Sequence, residues 1–118
     1  MNKPTKCISV AEARNLQDNW VNTRANDLER DLGYVDTREF VYSVAELEEF
    51  LAYVKSESTK QRISNPGVRI YFAAYNDAKS NKATVFLAPT DGGDVDSDNN
   101  YNLDPLNITT GGWPPKIY

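Results

Sequence analysis

The stretch from Val68 to Thr90 is the most apolar of the chain, with two strand-like runs back to back, and it organises the rest. Val68, Ile70, Phe72 and Ala74 alternate with Arg69, Tyr71, Ala73 and Tyr75, the period of two that sends successive side chains to opposite faces of a strand. Val85, Phe86 and Leu87 follow as a second apolar run with groups for both faces. Asn76, Asp77, Ser80 and Asn81 lie between, polar residues that suit turns, so the two runs predict an antiparallel hairpin with a longer loop. Asn65-Pro66-Gly67 predicts the turn that leads into it.

Earlier in the chain the period changes to three and four. Val10, Ala13, Leu16, Trp20, Val21, Ala25, Leu28 and Leu32 form a helical stripe that ends at Gly33, a natural C-terminal cap. Gln17 and Arg24 interrupt this stripe, which predicts drift around the axis or a bend near Asn22. Ser9-Val10-Ala11-Glu12 and Ser43-Val44-Ala45-Glu46 each have the spacing of a capping box. After the second box, Leu47, Phe50, Leu51 and Val54 predict an amphipathic helix, with Lys60 and Arg62 placed at its negative end. Between the helices, Arg38 to Tyr42 predicts a short strand. The acidic cluster Glu46, Glu48, Glu49 reads as a solvated helix face, and Trp20 as core.

The order helix, strand, helix, hairpin predicts an α+β fold. In its finer form it is two-layered, with a mixed sheet of about three strands and both helices on one face. A single domain is expected: residues 1–8 flexible, 9–90 the α+β body, and 91–118 an irregular tail. That tail holds Gly92-Gly93, Gly111-Gly112 and Pro114-Pro115, yet also Tyr101, Leu103, Leu106, Ile108, Trp113 and Ile117. Such apolar content is foreign to disordered segments, so the tail is expected to lie against the open sheet face.

Composition narrows the chemistry. The chain has 118 residues with 13 basic and 17 acidic side chains, a net charge of −4. An acidic balance without a basic patch argues against nucleic acid and against an anionic membrane surface. Cys7 is the only cysteine, and the amino terminus lacks the apolar run of a signal peptide, which together predict a cytoplasmic protein. No histidine is present, so Ser-His-Asp and Cys-His nucleophiles are excluded, as are zinc sites that need histidine. An enzyme here would have to work through carboxylates, lysine or tyrosine.

Three readings of function follow. The leading one is a non-enzymatic protein-binding or adaptor module that uses Tyr71, Tyr75 and Trp113, with Arg69 as polar anchor, since these residue types anchor protein interfaces. The first alternative is a calcium-binding module in loop 94–104. Asp94, Asp96 and Asp98 alternate as in the first half of a calcium loop, but Asn99 and Pro105 stand where glycine and a bidentate glutamate belong. The second is a carboxylate-based hydrolase, which needs two carboxylates facing each other across a cleft.

Pro66-Gly67-Val68-Arg69-Ile70-Tyr71-Phe72-Ala73-Ala74-Tyr75, Thr84 to Thr90 and Gly112-Trp113-Pro114-Pro115 together resemble a group of small uncharacterised bacterial proteins. The shared layout is amino-terminal helices, a PGxR-type strand with its hairpin partner, and a Gly/Pro-rich end. The resemblance implies a bacterial, cytoplasmic protein and brings no site residues with it.

Overall fold

A computed structural model describes residues 1–108 and 110–118. The protein is α+β, and none of its described helices is long and apolar enough to cross a membrane. Its contacts divide it into two compact units, Met1–Thr37 with Trp113–Tyr118, and Arg38–Gly112. The expected tail is therefore shared between the two units.

In the first unit, α1 (Val10–Trp20), a π-helical turn (Val21–Ala25) and α2 (Asn26–Leu32) run without a break. The irregularity expected near Asn22 is this π turn, and the stripe explains it. From Ala13 to Leu32 is 32 − 13 = 19 residues, which at about 100° each leaves Leu32 about 100° off the stripe. A π turn takes up one extra residue and cancels that drift. Thr23 Oγ1 and Asn26 Nδ2 donate to the Asn19 and Asn22 carbonyls at 2.6 and 3.2 Å, holding the widened turn. Ala13, Trp20, Val21 and Ala25 of the expected stripe are half-buried together with Gln17, whereas Val10, Leu16, Leu28 and Leu32 are exposed and no residue of the helix is fully buried. Gly33 closes it at φ 82°, the left-handed region that glycine enters without a Cβ penalty. At the other end, Ser9 Oγ accepts the Glu12 N–H at 3.0 Å.

The second unit contains β1 (Phe40–Val41), α3 (Val44–Lys60), β2 (Gly67–Ala74), β3 (Ala83–Thr90) and β4 (Thr110–Gly111). Among the described residues the strands make two separate two-stranded sheets in place of the expected mixed sheet of three. β1 pairs antiparallel with β4, Phe40 opposite Gly111, and β2 pairs with β3 from Gly67–Thr90 to Ala74–Ala83. β1 is two residues long, and the carboxy-terminal segment supplies its partner.

A full capping box starts α3: Ser43 Oγ accepts the Glu46 N–H, and the Glu46 carboxylate accepts the Ser43 N–H at 3.1 Å. Those bonds favour the charged carboxylate and hold its pKa below the usual glutamate value. The core of this unit is small. Phe50 and Val54 of α3 are buried, as are Val85 and Ala88 of β3 and Leu103 from beyond the hairpin. Gly67 is required by close approach, since a Cβ there would stand 2.5 Å from the Gly92 carbonyl oxygen.

Past Lys60, the Ile63 and Arg62 N–H groups donate to Ser58 and Thr59 carbonyls at 2.9 and 3.0 Å, a Schellman closure. Arg62 holds the left-handed position at φ 62°, where a side chain carries a steric cost that glycine escapes. Arg62→Gly is expected to stabilise the protein by about 1 kcal/mol, read as a higher denaturant midpoint at unchanged slope. A lower midpoint would show that the Arg62 side chain earns its place there.

Candidate functional site

The second unit builds its site where the chain returns along the outer edge of β3. Thr90 bridges Asn99, and Leu87 bridges Leu106, both antiparallel. Between these bridges 90 − 87 = 3 steps of β3 face 106 − 99 = 7 steps of the returning chain, so four extra residues must bulge outward. Pro89 supplies the reason. Its carbonyl accepts the Asn100 N–H at 2.9 Å, but a proline has no N–H to give back, and the ladder breaks there. Leu87 and Leu106 then exchange two hydrogen bonds, at 2.8 and 3.0 Å, and pairing resumes.

The loop that precedes the bulge is fastened by Arg69. Its guanidinium donates through Nη1 to Asn99 Oδ1 at 2.6 Å, and through Nη2 to the Val95 and Ser97 carbonyls at 2.9 and 2.8 Å. A planar fork with several fixed donors suits such a cluster of oxygens. Asn99 passes the connection on, since its Nδ2 donates to the Tyr71 hydroxyl at 2.8 Å. Tyr71 stacks on Phe86, its partner across the hairpin, with ring centroids 4.9 Å apart. Arg69 and Tyr71 thus work together, and Asn99 is what joins them.

Bulge and hairpin enclose a cleft of about 320 Å³. Tyr71, Phe86 and Asn99 form one side, while Tyr101, Leu103 and Pro105 of the bulge form the other. None of its lining residues is charged. Leu103 is buried at its base, whereas Tyr101 is 90% exposed at its rim. The Tyr71 hydroxyl accepts from Asn99 and keeps its own hydrogen to donate. Asp104 N–H donates to the Tyr53 hydroxyl at 3.0 Å and pins the bulge to α3. A larger cleft of about 540 Å³ lies between α3 and the turn before β2, lined by Leu51, Val54, Ile63 and Val68 among others. It has no aromatic lining residue.

The other expected site residues lie elsewhere. Tyr75 is 40% exposed on the same side of β2, and its hydroxyl donates to Asn107 Oδ1 at 3.2 Å. Asn107 Nδ2 in turn donates to the Val85 carbonyl at 2.8 Å, a second attachment of the returning chain. Trp113 belongs to the first unit, where Nε1 donates to the Val35 carbonyl at 2.7 Å. Asp94, Asp96 and Asp98 do not converge. Among the described residues no group of three or more carboxylate, thiol or imidazole side chains could hold a metal ion. Asp94 and Asp98 serve the loop through their backbone: Ser97 Oγ accepts the Asp94 N–H at 3.2 Å, and Asp91 Oδ1 accepts the Asp98 N–H at 3.0 Å.

Of the cleft's lining residues the sequence pattern singles out only Tyr71 as a site; Phe86, Asn99, Tyr101, Leu103 and Pro105 are among those it misses. The proline in an otherwise regular strand at position 89 is the one local sign of a neighbouring bulge. Comparison with protein-family models, with curated proteins and with solved structures finds no match.

Replacing Arg69 by methionine keeps the stem and removes the fork, leaving Asn99 and two carbonyls without their donor. Arg69→Met is expected to destabilise the protein by about 2–3 kcal/mol, measured by equilibrium denaturation. A loss within experimental error would show that the loop is held without it.

Proposed function

We propose that the protein is a non-enzymatic binding module whose cleft between Tyr71, Phe86 and the 101–105 bulge takes an extended, uncharged segment of a partner protein. The carrying observation is the cleft's make-up: a stacked aromatic pair on one wall, leucine and proline on the other, and no charge in the lining. Grooves lined by aromatics accept proline or aliphatic side chains of extended peptides, because such segments lose little conformational entropy on binding. The Tyr71 hydroxyl supplies one directional donor for a peptide carbonyl, and Tyr101 is an exposed aromatic anchor at the rim. Arg69 acts here as a support that fixes the wall and does not reach the ligand.

The larger cleft beside α3 is the weaker choice, since its lining mixes aliphatic residues with Lys55, Thr59, Ser64 and Asn65 and has no aromatic anchor. A cytoplasmic location is part of the same proposal and rests on the single exposed cysteine.

Peptide display against the full chain tests this reading. Peptides selected on the wild-type protein should be rich in proline and aliphatic residues, and should bind Tyr101→Ala and Tyr71→Phe about tenfold or more weakly. Selected peptides that bind both variants as well as wild type would place recognition elsewhere.

A further inference from the structure

The cleft between Tyr71, Phe86 and the bulge has more donors than acceptors to offer. Its lining carries few polar groups, and the bonds between them can be followed one by one. Asn99 engages both ends of its amide, Oδ1 with Arg69 and Nδ2 with the Tyr71 oxygen. The Pro89 carbonyl holds the Asn100 N–H, and the Asn100 carbonyl holds the Leu103 N–H at 3.2 Å. Asn100 Oδ1 accepts the Asn102 N–H at 3.2 Å. Each of these acceptors already holds a hydrogen bond. Tyr101 stands at the rim, 90% exposed, where water serves its hydroxyl.

Two donors are left over. One is the Tyr71 hydroxyl, which receives from Asn99 and has its own hydrogen to give. The other is Asn100 Nδ2, which belongs to a lining residue only 8% exposed. That nitrogen is buried and has no hydrogen-bond partner among the described residues. A buried amide in this state bears the full loss of its hydration, and a carbonyl oxygen would restore it. To reach an occupant the Asn100 side chain turns toward the opening. The only side-chain bond this sacrifices is the long one to the Asn102 N–H.

An ordinary peptide unit fits such a lining badly. Its carbonyl finds donors, but its N–H enters an apolar cleft with no free side-chain acceptor below the rim, and an unpaired N–H is costly there. A prolyl peptide bond has the carbonyl without the N–H, and its ring is an apolar body suited to the stacked Tyr71–Phe86 wall. We propose that the cleft selects proline as a tertiary amide, the carbonyl oxygens beside the ring accepting from the Tyr71 hydroxyl and from Asn100 Nδ2. Asn100 sets the preference, since a carboxylate in its place would supply the missing acceptor. This inference rests on the binding role proposed for the cleft and narrows its occupant from proline or aliphatic segments to proline.

Peptides selected by display on the full chain, resynthesised with blocked ends, are the probes, and NMR titration reads their affinities. Every selected peptide whose binding needs Tyr101 should contain proline. Exchanging that proline for alanine adds an N–H and should weaken binding about tenfold or more. N-methylalanine at the same place has neither N–H nor ring, and should recover most of the loss. Asn100→Asp keeps the shape and turns the donor into an acceptor, so in it the preference for proline over alanine should fall about tenfold. If Asn100→Asp does not fold, the peptide series on the wild-type chain decides. Three results would overturn the inference and leave the cleft's binding role standing: Tyr101-dependent peptides without proline, N-methylalanine binding no better than alanine, or an unchanged proline preference in folded Asn100→Asp. Selected peptides indifferent to Tyr101→Ala would remove that role, and this inference with it.

Discussion

Three hydrogen bonds from one guanidinium decide how the second unit is finished. Arg69 stands on a strand whose neighbours are Val68, Ile70 and Tyr71, and its charge meets neutral oxygens: two carbonyls and the Asn99 side chain. A cation on a part-covered sheet face needs such partners, because its water is partly removed and each missing bond costs the full desolvation of that N–H. Satisfying it draws the 91–99 loop across the sheet. Asn99 then arrives beside Tyr71 and Thr90, and the chain is aimed back along β3.

The cleft follows from the proline in β3. Had position 89 carried an N–H, the returning chain could have continued its ladder in register and lain flat against the strand. Four residues are expelled instead, and they carry Tyr101 outward while Leu103 turns into the core beside the hairpin. The same segment thus completes the core and forms a wall of the site. Any loosening of Arg69 or Asn99 therefore loosens Leu103 as well.

Local signals in the sequence were enough for the helices and the hairpin. Both serine caps, the glycine stop at Gly33 and the alternation through β2 rest on interactions within a few residues, and each appears where the pattern indicates. The π turn was legible as a stripe out of phase. Strand partnership was not, because it depends on which distant segment satisfies an edge: β1 takes β4, and β3 takes Asn99 and Leu106. Nor did alternation reveal which face is covered. The apolar row at Ile70 and Phe72 is exposed, while the row carrying Arg69 and Tyr71 is the part-buried one. Of the expected site residues, Arg69 and Tyr71 come together, whereas the role of Asn99 between them needed coordinates, since an asparagine in an acidic loop has no pattern of its own.

Residues 91–108 are a structural extension of the hairpin and not a loose appendage. Amide hydrogen exchange at Asn100 and Leu106 tests it most directly, with the Tyr71 and Phe86 amides of the hairpin as internal reference. Asn100 and Leu106 should be protected and open together with the hairpin in one cooperative event. Exchange at unfolded-chain rates for those two amides, with the hairpin still protected, would contradict it.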